Sequence, residues 1–324
     1  MKFILLSLLL IILSVLSLFL GEGETFFYIS RFFQNQEIHP ILELRVSRIL
    51  SAIVVGSMLS VSGAIFQSVF QNSLVSPDIL GASSGALLGS ILGIFFNLSL
   101  VSTQLGALFF SVIVIILAIF LTELINKRLH LGVVVLVLIG LLISSLLSSF
   151  ISVLYLYSEN DTLVRGGLII SNGSLSSVDF EFVVELYVIF IFIYSIFHFF
   201  KKKLDLLSLP ISVLKTQGIN VNLIMGTLLV LSTIMTSICV SIVGIIAWVS
   251  LIIPNFVRIM IGSEHSKLLP YSAILGSLFL LCCDSLSRIL LSVEVPVGII
   301  TGVIGIPMFV VILFNNMKVR RKYD

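Results

Sequence analysis

The chain has 324 residues, 58 % of them hydrophobic and only 10 % charged, with a mean hydropathy of +1.24. A soluble domain carries roughly 25 % charged residues, so a water-soluble enzyme or a nucleic-acid-binding module is excluded and a polytopic membrane protein remains. The net charge of +2 says little, and three cysteines in apolar runs with four scattered histidines supply neither a disulfide framework nor metal-ligand spacing, so no metal and no cofactor is expected.

Lys2 precedes an apolar run from Phe3 to Leu20. We read it as a retained first span rather than a signal peptide, because GEGETFF follows in place of an A-x-A-like cleavage site. Residues 21–44 are mixed polar and aromatic and form a loop. From Arg48 to Phe70 the chain carries no charge and no proline, enough to cross a hydrocarbon core of about 30 Å at 1.5 Å per residue. The break QNSLVSPD then reads as a polar joint exposed at one membrane face. The third span carries Gly81, Gly85, Gly89 and Gly93 at four-residue spacing, which leaves one nearly bare helix face for a close neighbour.

Further spans fit 103–122, 131–157, 182–200, 223–243, a short proline-broken piece around WVSLIIPNFVR, 271–291 and 296–315. Residues 158–180 and GSEHSKLLP read as loops, and 201–222 as a long basic-flanked loop within a single permease domain spanning 1–324. The fold class is therefore all-α, a membrane bundle of about ten transmembrane helices. Ten spans put both termini on one side, and that side collects thirteen of the eighteen Lys and Arg residues. By the positive-inside rule both termini are cytoplasmic.

Several motifs carry competing readings. GASSG (Gly81 to Gly85) matches G-x-S-x-G, the nucleophile elbow of hydrolases, but its apolar helical flanks favour packing over an intramembrane hydrolase. No G-x-x-x-x-G-K-[ST] occurs, so an ATPase driving transport would be another chain. Glu123, Glu185 and Asp284 lie near helix ends, and this scarcity of embedded carboxylates argues against a secondary transporter of inverted-repeat type, the alternative function. Asp284 and Arg288 form an i, i+4 pair, either interfacial or part of a docking site. Leu204 to Asn220 is amphipathic, either an interfacial helix or a short helix that docks a soluble partner. Gly298, Gly302 and Pro307 suggest a kinked helix used for packing or lining a path.

Four motifs together resemble the permease subunits of ABC importers for iron–siderophores, haem and cobalamin. They are Arg45-Val46-Ser47-Arg48-Ile49-Leu50, the Ser62–Gly81 stretch, Ile246 to Arg258 followed by Leu268-Leu269-Pro270, and Pro296 to Phe309. The resemblance covers essentially the whole chain. It implies a second permease subunit, identical or paralogous, two cytoplasmic ATP-binding subunits and an extracytoplasmic substrate-binding protein, assembled in a bacterial cytoplasmic membrane with the lipid bilayer around them. It further implies ATP-driven uptake by alternating access, with an iron–siderophore as cargo. Carried over by motif, Arg45, Arg48 and Arg288 meet acidic residues of the binding protein. Asn72 and Leu74 lie in the cytoplasmic gate. Leu207, Leu209, Pro210, Leu214 and Gly218 belong to the loop that couples to the ATPase, although Pro210, Ile211, Leu214 and Gln217 depart from the family's pattern there.

The charge asymmetry makes a direct prediction. A cysteine in place of Lys202 should resist an impermeant maleimide in intact cells and react once the membrane is permeabilised. Labelling in intact cells would refute the topology.

Overall fold

A computed structural model describes residues 2–20, 40–129, 133–157, 161–176, 178–207, 209, 214, 220–290 and 294–320. Its regular elements among these residues are all α-helices: α1 (Lys2–Phe19), α2 (Pro40–Val69), α3 (Ala82–Phe95), α4 (Leu100–Leu129), α5 (Val133–Tyr157), α6 (Asp161–Asn172), α7 (Phe180–Leu206), α8 (Val221–Val243), α9 (Val249–Ile261), α10 (His265–Ile289) and α11 (Val297–Arg320). Seven of them are long and apolar enough to cross a membrane, and α3, α9 and the apolar part of α11 are shorter. With 14 and 13 residues, α3 and α9 cover only about 21 and 20 Å. Each is preceded by non-helical chain that lies inside the bundle.

Helix α2 is the axis of the molecule. Its apolar window is 89 % buried, more than that of any other candidate span. It packs on α10, α8, α9 and α7. Lipid tails are as apolar as leucine, so burial alone does not draw membrane helices together, and contact needs close backbones and hydrogen bonds. The sequence of α2 supplies both. Gly56 lies against Gly276 of α10, and a Cβ on Gly63 would fall on the Ser250 carbonyl of α9. Ser57 bonds Ser277 at 2.7 Å, Ser60 donates to the Ser272 carbonyl at 2.6 Å, and Ser62 donates to the Ser232 carbonyl of α8 at 2.9 Å. Each such bond contributes about 0.6 kcal/mol in a bilayer, up to ~1.7.

Helix α3 packs mainly on α4. Gly85, Gly89 and Gly93 face the backbone or side chains of Ser111, Ala107 and Thr103 on α4, while Gly81, at φ +89°, fits beside Val114, Ser144 and the Gly140 carbonyl. Gly298 approaches the carbonyls of Asn172 and Ile245, and a Cβ on Gly302 would lie 3.8 Å from the Trp248 indole nitrogen.

Three sequence expectations change. Residues 158–180 contain α6, whose Gly166-Gly167 pair suggested a loop but lets the helix pass beneath the Tyr155 ring. GSEHSKLLP is not a loop throughout, because α10 starts at His265 and runs through Pro270. The joint after α2 is not simply exposed at a membrane face. Asp78 bonds Ser250, which packs on Gly63, six residues and so about 9 Å inside the end of α2.

Gly63→Ala should push α9 off α2 and cost about 1–3 kcal/mol, the usual range for overpacking a filled contact. It should appear as a lowered melting temperature in detergent, whereas Gly226→Ala, with nothing within 4 Å of the new methyl, should not lower it.

Candidate functional site

Polar side chains gather at three levels of the bundle. At one end, the arginines anticipated from the sequence do come together, but in an ion cluster. Arg48 Nε donates to Asp284 Oδ1 at 2.7 Å, and its Nη1 donates to both Glu294 oxygens at 2.9 and 3.0 Å. Arg288 lies 3.2 Å from Asp284 Oδ2, an ion-pair distance without hydrogen-bond alignment. Its Nη1 also donates to the carbonyls of Ser17 and Leu20 at 3.1 Å each, and Arg45 Nη1 donates to the Leu18 carbonyl at 3.0 Å. These carbonyls close the C-terminal end of α1, which has no basic residue in its own last turn. Cations favour that end of a helix dipole. Asp284 is fully buried and Arg48 is 8 % exposed, so both are structural charges here, while the Glu294 side chain is 55 % exposed. Arg45 is half-buried.

The second level is the joint between α2 and α3. Asp78 Oδ1 accepts from Ser83 and Oδ2 accepts from Ser250 at 2.5 Å. Ser83 and Ser250 are the second residues of α3 and α9, and neither helix has a side-chain cap of its own. Among the described residues no Lys, Arg or His pairs with this carboxylate. Ser83, the serine of GASSG, is thereby held by an aspartate and not by a histidine base.

The third level is the opposite, basic end. A cavity of about 760 Å³ is lined there by Gln67, Ser68, Gln71, Asn72, Arg258 and His265 among others. His265 Nδ1 lies 2.6 Å from Asp205 Oδ1, which also accepts the His265 backbone N–H at 2.9 Å and so caps α10 from α7. His265 Nε2 lies 2.6 Å from Ser68 Oγ on α2. Gln71 Nε2 donates to the Leu207 carbonyl, Arg258 donates to Gln67, and Asn255 donates to the Ser73 carbonyl at 2.8 Å. Near the rim, the Lys267 hydrogen bond holds the Glu264 carboxyl below the usual carboxylate range.

The anticipated gate residues Asn72 and Leu74 sit here, with Asn72 Oδ1 accepting the Leu74 N–H at 2.8 Å. Of the anticipated coupling residues, Leu207 and Leu214 are buried in this chain's own core and Leu209 is exposed, while Pro210 and Gly218 lie outside the described residues. Asp78, Asp205, Glu294 and His265 were not singled out from sequence. Each is a lone polar residue whose partner is far along the chain. Asp284, placed near a helix end by the sequence, and Asp78, placed in an exposed joint, are both drawn into the bundle by their partners.

A bundle whose described elements are all helices, with a central glycine–serine helix, short helices broken inside it, an ion cluster at one end and a cavity at the other, is the build of a membrane permease. The model of the FecCD transport family matches residues 4–315, and the chain belongs to that family. It is 31 % identical over 275 residues to the molybdate import system permease protein MolB of Haemophilus influenzae, covering 85 % of this chain and 81 % of the relative. It is 32 % identical over 284 residues to the Fe(3+) dicitrate transport system permease protein FecD of Escherichia coli K12, covering 86 % of each. A solved structure described as an inward-facing conformation of a metal-chelate type ABC transporter superposes with a TM-score of 0.83 at 31 % identity, over 96 % of this chain and 98 % of that one. The protein is thus a multi-pass ABC importer permease, not an enzyme, and ATP hydrolysis belongs to a separate subunit. This excludes the secondary-transporter and hydrolase alternatives.

Removing one member of a buried ion cluster leaves uncompensated charge. Asp284→Ala should cost about 3–5 kcal/mol by stranding Arg48 and Arg288. The measurement is thermal unfolding of the purified permease, and an unchanged midpoint would show that the cluster is solvated.

Proposed function

We propose that this chain is the membrane subunit that moves an iron chelate, of the iron–siderophore kind, into a bacterial cell by alternating access. The observation that carries this reading is the family match along residues 4–315. The iron chelate is favoured because FecD is named for ferric dicitrate and the similar solved structure is of metal-chelate type, while MolB is named for molybdate. The glycine and serine faces of α2 and α3 are filled by α10, α9, α8 and α4, so they pack the bundle rather than grip a cargo. Cargo choice then rests with the extracytoplasmic binding protein.

In this reading the basic end faces the cytoplasm with both termini, in the cytoplasmic membrane. The permease pairs with a second copy or a paralogue and carries two ATP-binding subunits beside Leu209. Asn72 and Leu74 form the gate. The arginine cluster receives acidic groups of the binding protein: Arg45 is the accessible member, and Arg48 joins by exchanging Glu294 for a partner carboxylate. Such exposed pairs contribute about 0–1 kcal/mol each and act chiefly on encounter rate and register.

The test is uptake of a ferric siderophore into proteoliposomes holding the permease, its ATP-binding subunit and its binding protein. ATP-dependent, vanadate-sensitive uptake is expected, and Leu209→Asp should abolish it while the permease still inserts. Uptake of molybdate, haem or cobalamin with no ferric siderophore transport would overturn the cargo assignment. Persistence of full uptake in Leu209→Asp would overturn the coupling assignment.

A further inference from the structure

Segment 70–81 has no helix or strand of its own, so its position depends on tethers to the rest of the bundle. Three reach other elements: Gln71 to the Leu207 carbonyl, Ser73 through Asn255, and Asp78 to Ser250. Among the described residues Asp78 is the charged one. Its two oxygens are divided between two helices, Ser83 of α3 and Ser250 of α9. Both hydroxyls sit in first turns, where unpaired N–H groups and the dipole place partial positive charge. Neither helix has its own side-chain cap: Gly81 and Trp248 hold the cap positions, both at positive φ, and neither provides one. Half-helix N-termini inside a membrane bundle attract anions. Here the acceptor is a carboxyl group of the protein itself, and it sits in the same short segment as Asn72 and Leu74.

We propose that Asp78 is a positioning residue of the transport cycle: an internal carboxyl group that clamps the N-terminal ends of α3 and α9 together and so fixes the gate segment 70–81. The inference rests on the reading of Asn72 and Leu74 as the gate. A clamp of hydroxyl-to-carboxylate bonds and helix dipoles, with no cation, can part and re-form as α9 moves. Its release would let the gate segment swing without unfolding either helix. Asn at position 78 keeps one acceptor oxygen but puts a donor amide where the second hydroxyl is received.

The experiment uses the full permease with its ATP-binding subunit in nanodiscs, with Cys239, Cys282 and Cys283 replaced by alanine. Spin labels at Ser73→Cys, half-buried and joined to Asn255 only through its backbone carbonyl, and at the exposed Lys202→Cys report the gate position. The unaltered clamp should give one narrow distance distribution. Asp78→Ala should give a broad or two-peaked one, with Asp78→Asn and Ser250→Ala intermediate. Basal ATP hydrolysis should rise several-fold in Asp78→Ala, and stimulation by the binding protein should be lost. A merely structural residue would lower yield and melting temperature but leave the distance and the stimulation ratio unchanged in the folded fraction, and that result would overturn the proposal. If Asp78→Ala does not fold, the Ser83→Ala/Ser250→Ala double variant removes both arms and is judged by the same distance. Absence of any ATP hydrolysis with the unaltered chain would count against the importer assembly, while the distance arm would still decide the clamp.

Discussion

Helix ends inside a lipid-embedded bundle have no water to turn to, and that constraint organises this protein. The first N–H groups and last carbonyls of a helix lack partners within it, and each costs several kcal/mol if left bare in hydrocarbon. Two of the spans here, α3 and α9, are too short to bring both ends to a membrane face. Other parts of the chain must serve those ends. Asp205 accepts the first N–H of α10, Arg45 and Arg288 serve the carbonyls at the C-terminal end of α1, and Asp78 lies at the N-terminal turns of α3 and α9, bonded to the hydroxyls of Ser83 and Ser250. The charged residues that composition makes so rare are placed largely where helices end.

The same economy explains why α2 sits at the centre. It approaches α10 and α9 through Gly56 and Gly63, and its serines bond across to α10 and α8. A larger side chain at Gly63 would hold Ser250 away, and with Ser250 would go one arm of the Asp78 contact. Packing and capping are therefore coupled through a single pair of residues. At the basic end the last turn of α2 is tied to α9 and α10 through Gln67 and Ser68, and Gln71, just past it, is tied to Leu207 at the end of α7. Movement of any of these helices acts directly on the segment that follows α2.

The two ends of the bundle differ in kind. One holds a nearly dry ion cluster around Asp284, whose charges satisfy one another, with Glu294 as its solvent-facing member. The other holds an open polar cavity of about 760 Å³ whose side chains bridge separate helices. A sealed cluster resists rearrangement, because breaking it strands buried charge. Hydrogen bonds beside an open cavity rearrange more cheaply, because a parted group can turn to solvent. Motion is thus favoured at the basic end, where an ATP-driven partner would act.

Composition alone determined that the chain lies in a membrane, because so few charges cannot solvate a globule of this size. Run lengths placed the long spans, and the four-residue spacing of Gly85, Gly89 and Gly93 foretold the close approach of α3 to α4, since both signals lie within one helix. Short motifs were enough to reveal the family. The sequence missed α6, whose glycines serve the Tyr155 contact, and the true start of α10, whose cap comes from Asp205, 60 residues away. Nor could it tell that Arg48 is spent on Asp284, 236 residues away, or that Asp78 reaches Ser250 across 172 residues. Such partners leave no periodic trace, because the spacing between them is set by the path of the chain and not by the geometry of any one helix. Which charges are free and which are spent was decided only when the helices packed.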